Sequence, residues 1–325
     1  MRRLSTFVLV SALAISACSS SSGTRGAAPG TTSPPLAATT TTTVPRLTHY
    51  GYAEREDTIV DKSRPTKANN GYPGAPDRTI RVKYYFPTEK GDAPATTGAP
   101  FPLIIWSHGW TAGPEVYQAI ERALASAGFV VAAPAYPLSN SAAPGGPIVT
   151  DLGNQPADAS FVLDHALALA KNGWLKGKVD PSKIGAGGHS LGGFTTYELV
   201  YNSACRDKRI KAAVAMSAIA AGCGGTNFKN IDTPLLAIHG DHDELVPYDG
   251  GQKSFNEANS PKFFMTIVGG KHVTEELGGT TPGQRALTTA IIGFFNRYLR
   301  GEASGLEQLK KAADQPGLTT LDAQP

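Results

Sequence analysis

Three residues in this chain, Ser190, Asp243 and His272, have the types and the order needed to activate a hydroxyl nucleophile. Ser190 sits in Gly188-His189-Ser190-Leu191-Gly192, and Gly193 follows. A serine hydroxyl is a weak nucleophile at neutral pH, so it needs a base to take its proton and a third group to orient the base. A G-x-S-x-G segment between a strand and a helix lifts the serine above a sheet edge on a strained turn, and its glycines leave room where the two backbones meet. His272 follows Gly269-Gly270-Lys271 and is assigned as the base. Asp243 opens Asp243-Glu244-Leu245-Val246-Pro247 and is assigned as the acid that would fix the imidazole tautomer. Asp241, two residues upstream, is the alternative acid.

Acyl transfer also needs two N–H donors aimed at the developing oxyanion. The backbone of Leu191, next to the nucleophile, is assigned as one. The backbone of Trp110, in Ser107-His108-Gly109-Trp110, is assigned as the other, with its indole as a wall of the substrate site. The cluster His239, Asp241, His242 and Asp243 has the density of a metal site. No further cluster completes a coordination shell at a recognisable spacing, so no metal and no cofactor are expected. His108 is read as a brace for its loop, His189 as a packing or hydrogen-bonding residue, His165 as structural or surface, and Trp174 as a packing aromatic.

These residues need a scaffold. Short apolar runs at 79–86, 103–106, 129–133, 183–186, 212–216, 235–238 and 263–268 read as strands. Segments 115–127, 157–171, 191–201 and 284–299 read as helices. Strands alternating with helices predict an α/β fold, a mostly parallel twisted sheet with helices on both faces. The strand at 79–86 alternates and is expected to be antiparallel. Segment 134–147, rich in Pro, Gly, Ser and Asn, reads as a long loop. A short helix is expected at 306–312, with a loose end after it. About eighteen residues separate Met216 from Leu235, too few for a helical cap, so an open site with no large cap domain is expected.

The chain has 325 residues, 18% charged and 41% hydrophobic, with ample apolar material for a core. Its net charge is +3, and Arg2 and Arg3 supply two of those charges. Neither the charge nor its pattern suggests a nucleic-acid partner. Residues 1–17 read as a secretory signal, with an apolar run at 7–17 too short to span a bilayer. The run ends Ile15-Ser16-Ala17-Cys18, similar to a bacterial lipobox, so lipidation of Cys18 with palmitate and attachment to a membrane through that lipid are expected. The alternative is a plain signal peptide with a chance Cys. Residues 18–45, dominated by Ser, Thr, Pro, Ala and Gly, read as a disordered spacer. The catalytic domain is placed at 46–300 and a C-terminal tail at 301–325. In an exported protein Cys205 and Cys223 are expected to form a disulfide, the alternative being two free thiols.

The stretches Ser107-His108-Gly109-Trp110-Thr111, 188–193, Asp243-Glu244-Leu245-Val246-Pro247 and Gly269-Gly270-Lys271-His272 together resemble the dienelactone-hydrolase-like branch of the α/β-hydrolase superfamily. The pattern is similar to esterases of the platelet-activating-factor acetylhydrolase type and to bacterial cutinase-like polyester hydrolases. It covers roughly residues 50–300 in the right order. The segment after 212–216 departs from the polyester hydrolases, with Cys223, Gly224 and Gly225 and no Trp where they carry an aromatic wall. The resemblance implies a serine-dependent carboxylic ester hydrolase working through an acyl-enzyme. Exposed or bulky esters, lipid or polyester-like, are the expected substrates, and a monomer is the expected form. An amidase or peptidase using the same residues, and an inactive binding lipoprotein on the same fold, are the other readings.

Overall fold

The computed structural model describes residues 50–220, 224–225, 227–272 and 281–325. Cys18, the segments at 1–17 and 18–45, and Cys223 lie outside the described residues. The described residues build nine strands and six α-helices. The strands are β1 Gly51–Asp61, β2 Arg78–Thr88, β3 Phe101–Ser107, β4 Val130–Ala135, β5 Val179–His189, β6 Ile210–Met216, β7 Leu235–Gly240, β8 Lys262–Ile267 and β9 Thr319–Gln324. The helices are α1 Gln118–Ser126, α2 Gln155–Asn172, α3 Leu191–Tyr201, α4 Tyr248–Glu257, α5 Pro282–Arg300 and α6 Ala303–Ala313. The strands form one open sheet in the order β1-β2-β4-β3-β5-β6-β7-β8-β9. β4, β3, β5, β6, β7 and β8 run parallel, and among the described strands the antiparallel pairs lie toward the edges, β1/β2, β2/β4 and β8/β9. This is the mostly parallel α/β-hydrolase sheet expected from the sequence.

Strands β3, β4, β6, β7 and β8 are mostly apolar and the second half of β5 is buried, because both faces are covered, and the two-residue period sorts their side chains. Leu103, Ile105, Val130 and Ala132 join one core with Val162 and Leu163 of α2, Tyr197 and Val200 of α3, and Phe255 of α4. Ile104, Trp106, Val131 and Ala133 join the other with Leu124 of α1, Phe294 and Phe295 of α5, and Leu309 of α6. Each fully buried Leu, Ile or Phe contributes roughly 1.5–3 kcal/mol. At the start of α5 the Thr281 hydroxyl accepts from the Gln284 N–H, and the helix ends at Gly301 with φ 75°.

The structure differs from the sequence reading at both sheet edges and at one helix. β1 carries Glu54, Arg55, Glu56 and Asp57, and only Ala53, Ile59 and Asp61 are buried, so it lacks an apolar run. The loose end expected after residue 312 is instead β9, which pairs with β8 in register from Lys262–Gln324 to Ile267–Thr319. α4 buries only Gly251, Ser254 and Phe255, too few to mark a helix by period. The predicted helix at 115–127 begins as a 3-10 turn at Pro114–Tyr117. Among the described residues, no helix is inserted between β6 and β7.

β3 connects through α1 to β4 on one side, while β5 connects through α3 to β6 on the other. Ser107 and Gly188 are register partners at the ends of β3 and β5. Connections leaving adjacent parallel strands in opposite directions open a crevice at their carboxyl ends, where ligands bind in such sheets.

Candidate active site

Ser190 occupies that crevice, on the single residue between β5 and α3. Its φ of 54° and ψ of −123° are unfavourable for a residue with a side chain. The turn holds because its surroundings leave no alternative. The Ser190 N–H donates to Met216 O at 2.9 Å, and the Ser190 carbonyl accepts from the Phe194 N–H at 2.9 Å. A Cβ on Gly188 would strike the Gly192 carbonyl, and one on Gly192 would strike the Ser107 carbonyl. The pattern of glycines is therefore a packing requirement of the elbow.

The Ser190 hydroxyl lies 2.8 Å from His272 Nε2, and His272 Nδ1 lies 2.8 Å from Asp243 Oδ2. With its proton on Nδ1 donated to the carboxylate, His272 presents an Nε2 lone pair to the hydroxyl. The other oxygen, Asp243 Oδ1, accepts the Leu245 N–H at 2.9 Å and the Val246 N–H at 2.8 Å. Burial pushes the Asp243 carboxyl up. The Val246 N–H, His272 and the Leu245 N–H outweigh it, so its pKa stays below the ordinary carboxylate value. Asp241, the alternative acid, is exposed and accepts the Gly269 N–H at 2.6 Å instead.

Trp110 follows β3, and Leu191 is the first residue of α3. Among the described residues, neither backbone N–H has a protein acceptor. The Leu191 N–H also lies at a helix N-terminus, where the macrodipole favours negative charge. The Gly109 carbonyl accepts from His108 Nδ1 at 2.7 Å and from the Ala112 N–H at 3.1 Å. A trans peptide is planar, so anchoring this carbonyl aims the Trp110 N–H to the opposite side. His108 Nε2 accepts the Tyr136 N–H at 3.0 Å, which fixes the tautomer. Burial pushes the His108 pKa down to about 4, so the brace stays neutral. The Trp110 side chain is 49% exposed at the mouth of this loop.

The remaining members of the dense His/Asp loop separate. His239 is buried, with Nε2 3.0 Å from Val246 O and 3.2 Å from Asp243 Oδ2, while His242 is exposed. Burial lowers the His239 pKa. Among the described residues, no group of His, Cys, Asp or Glu is arranged to hold a metal ion. His165 pairs with Asp57 at 3.3 Å, and Trp174 packs on Tyr84 and Phe86. Two features escaped sequence reasoning. His239 contacts the acid from within β7, and Tyr117 contacts His189 across 72 residues of chain. The Tyr117 contact has no local spacing to betray it, whereas His239 and Asp243 stand four residues apart in the dense His/Asp loop, and only the fold turns the imidazole to the acid.

Comparison with known proteins places this geometry in a family. Platelet-activating factor acetylhydrolase from Cavia porcellus is 26% identical over 221 residues, covering 56% of this chain and 50% of that protein. The chain thus spans about half the length of the curated relative it matches. The structure of a ferulic acid esterase from Streptomyces cinnamoneus superimposes with a TM-score of 0.63 at 21% identity, over 84% of this chain and 97% of that one, and so shares the fold. A model of the family described as PETase, PET hydrolase-like, matches residues 66–309, a span that contains the serine, the aspartate, the histidine and both donor loops. The chain belongs to the PET hydrolase-like family of α/β-hydrolases.

Proposed function

We propose that the protein is a carboxylic ester hydrolase working through an acyl-enzyme on Ser190. The observation that carries this reading is the unbroken chain from Ser190 Oγ to His272 Nε2 and from His272 Nδ1 to Asp243 Oδ2. Ser190 Oγ attacks the ester carbonyl carbon while His272 takes its proton. The carbonyl oxygen becomes an oxyanion held by the N–H groups of Leu191 and Trp110. Collapse breaks the bond to the alkoxy oxygen, and His272 returns the proton to the departing alcohol. Water, deprotonated by His272, then attacks the acyl carbon, releases the acid and restores Ser190. Asp243 stabilises the imidazolium in both halves.

The substrate is an exposed or bulky ester. Seven large hydrophobic residues are exposed among the described ones. Five of them, Trp110, Val116, Val149, Leu245 and Val268, follow the carboxyl ends of the parallel strands where the site opens. Apolar side chains on that side suit lipid or polyester-like esters. Acetylhydrolase and ferulic acid esterase relatives are consistent with ester cleavage of differing acyl groups. Export, attachment to a membrane by lipid on Cys18, a Cys205–Cys223 bridge and a monomeric state belong to the same reading and rest on the sequence alone.

The test is hydrolysis of a p-nitrophenyl ester series, acetyl to palmitoyl, by the protein and by its Ser190→Ala variant. Turnover should fall by roughly 10⁴–10⁶-fold in the variant, with an unchanged unfolding temperature. Equal turnover by the two proteins would refute the assignment.

A further inference from the structure

The residue before the nucleophile makes contacts that the esterase reading does not use. His189 is buried, with Nδ1 2.9 Å from the Tyr117 hydroxyl and Nε2 2.8 Å from the His272 carbonyl. The Tyr117 hydroxyl in turn accepts the Gly109 N–H at 3.1 Å. The two ends fix the direction of the whole chain. The Gly109 N–H can only donate and the His272 carbonyl can only accept. Tyr117 therefore accepts from Gly109 and donates its O–H to His189 Nδ1. His189 then carries its proton on Nε2 and donates it to the His272 carbonyl. The opposite tautomer would set a nitrogen lone pair against that carbonyl oxygen.

These bonds join the two loops that matter. Gly109 supplies the carbonyl side of the Trp110 donor peptide, and His272 is the base. The fit is close, since a Cβ on Gly109 would come within 2.9 Å of the Tyr117 hydroxyl and 3.3 Å of Ser190 Cβ. The His189 and His272 rings are 5.0 Å apart.

We propose that Tyr117 and His189 form a buried positioning strut, which rests on the esterase reading and holds the Trp110 donor peptide and His272 in register across Ser190. Neither residue touches the reacting atoms. The strut acts through what it fixes, the place where the oxyanion forms and the place where the base waits. Burial pushes the His189 pKa down to about 4, so no second positive charge opposes His272 when it takes a proton. The titratable groups facing His189 are Tyr117, His272, Asp243 and His239.

The strut is tested by kinetics on a p-nitrophenyl ester and by unfolding temperature for wild type, Tyr117→Phe, His189→Leu and His189→Gln. Tyr117→Phe and His189→Leu should each lower kcat by about tenfold or more, because small misplacements of reacting groups carry large penalties. KM should change by less than about threefold, since ground-state binding is untouched. His189→Gln keeps an N–H for the His272 carbonyl and should recover part of the kcat lost in His189→Leu. Variants with kcat within twofold of wild type would overturn the strut, and so would kcat losses that Gln does not relieve. If wild type itself hydrolyses no ester, the functional reading fails and the strut is read by nitrogen-15 NMR of histidine. His189 should then hold its Nε2–H tautomer from pH 5 to 8 and lose it in Tyr117→Phe. A His189 resonance that titrates freely in that range would overturn the strut.

Discussion

Two of the buried clusters of ionisable side chains among the described residues are built to opposite ends. The first centres on Arg78 of β2, fully buried. Its guanidinium grips Asp158 through Nε at 2.7 Å and Nη2 at 2.6 Å, and Asp151 through Nη2 at 2.8 Å. Arg64 adds ion pairs of 2.7 Å to Asp158 and to Asp61, and Asn154 donates to Asp151 at 2.7 Å. Every nitrogen of the Arg78 guanidinium is hydrogen-bonded to a carboxylate, which ties β2 to the turn before α2 and to α2 itself. The second cluster holds Ser190, His272, Asp243, His239 and His189. It carries one carboxylate and three imidazoles, and beside it lie the Trp110 and Leu191 N–H groups, which have no protein acceptor among the described residues. The same low-dielectric burial that locks a saturated network makes an incomplete one responsive to any charge that develops within it. The first cluster ties the fold together, and the second is the one we propose to stabilise a transition state.

The comparison can be broken most severely at Asp243. Asp243→Asn should leave the fold intact and lower kcat by about 10⁴-fold, because an amide cannot fix the His272 tautomer. Steady-state kinetics beside a thermal melt would separate the two effects. A variant that loses stability in proportion to activity would place Asp243 in the structural class instead. The reverse experiment is Arg78→Ala. It leaves Asp158 with Arg64 alone and Asp151 with Asn154 alone, and should cost about 3–5 kcal/mol in urea unfolding, while the folded fraction keeps its kcat. A loss of kcat larger than the loss of folded protein would erase the distinction between the clusters. The mildest probe is pH. His108 and His189 both sit near pKa about 4 in the folded state against 6.5 unfolded, with burial the leading cause. The unfolded chain therefore binds more protons between those values, so stability is complete above about pH 6.5 and falls as pH drops toward 4. Each imidazole should remove about 2 kcal/mol between pH 7 and pH 5. Urea midpoints at the two pH values check this, and a midpoint that does not move would show that the two rings are not held neutral.

The site was legible in the sequence where chemistry follows the end of an apolar run. Ser190, Asp243 and His272 each come just past a strand of hydrophobic residues, and the glycines at 188 and 192 mark a close approach that only a missing side chain permits. The central sheet was legible for the same reason, since strands covered on both faces must be apolar throughout. The edges were not. β1 and β9 each have one solvated face and a mixed composition, so neither contrasts with a loop. α4 opens Tyr248-Asp249-Gly250-Gly251, a sequence that intrinsic propensity assigns to a turn, and tertiary packing makes it a helix. The contacts of Tyr117 with His189 and of Arg78 with Asp151 and Asp158 join residues more than seventy positions apart. Only the completed sheet brings them together.

If Trp110 and Leu191 are the oxyanion donors, as proposed, their main-chain origin has a consequence for how the sequence can vary. A donor on a side chain is deleted by any change of residue at its position. A donor on the peptide unit survives every substitution except proline. The side chains at these two positions can therefore change without removing the N–H groups proposed to hold the oxyanion. At Trp110 the freedom is greatest, because its indole is half exposed while its peptide is anchored from behind by His108. On the proposed reading, selection for a new acyl or alcohol group would act on that side chain without dismantling the reaction, so substrate range and catalytic power would be separately heritable.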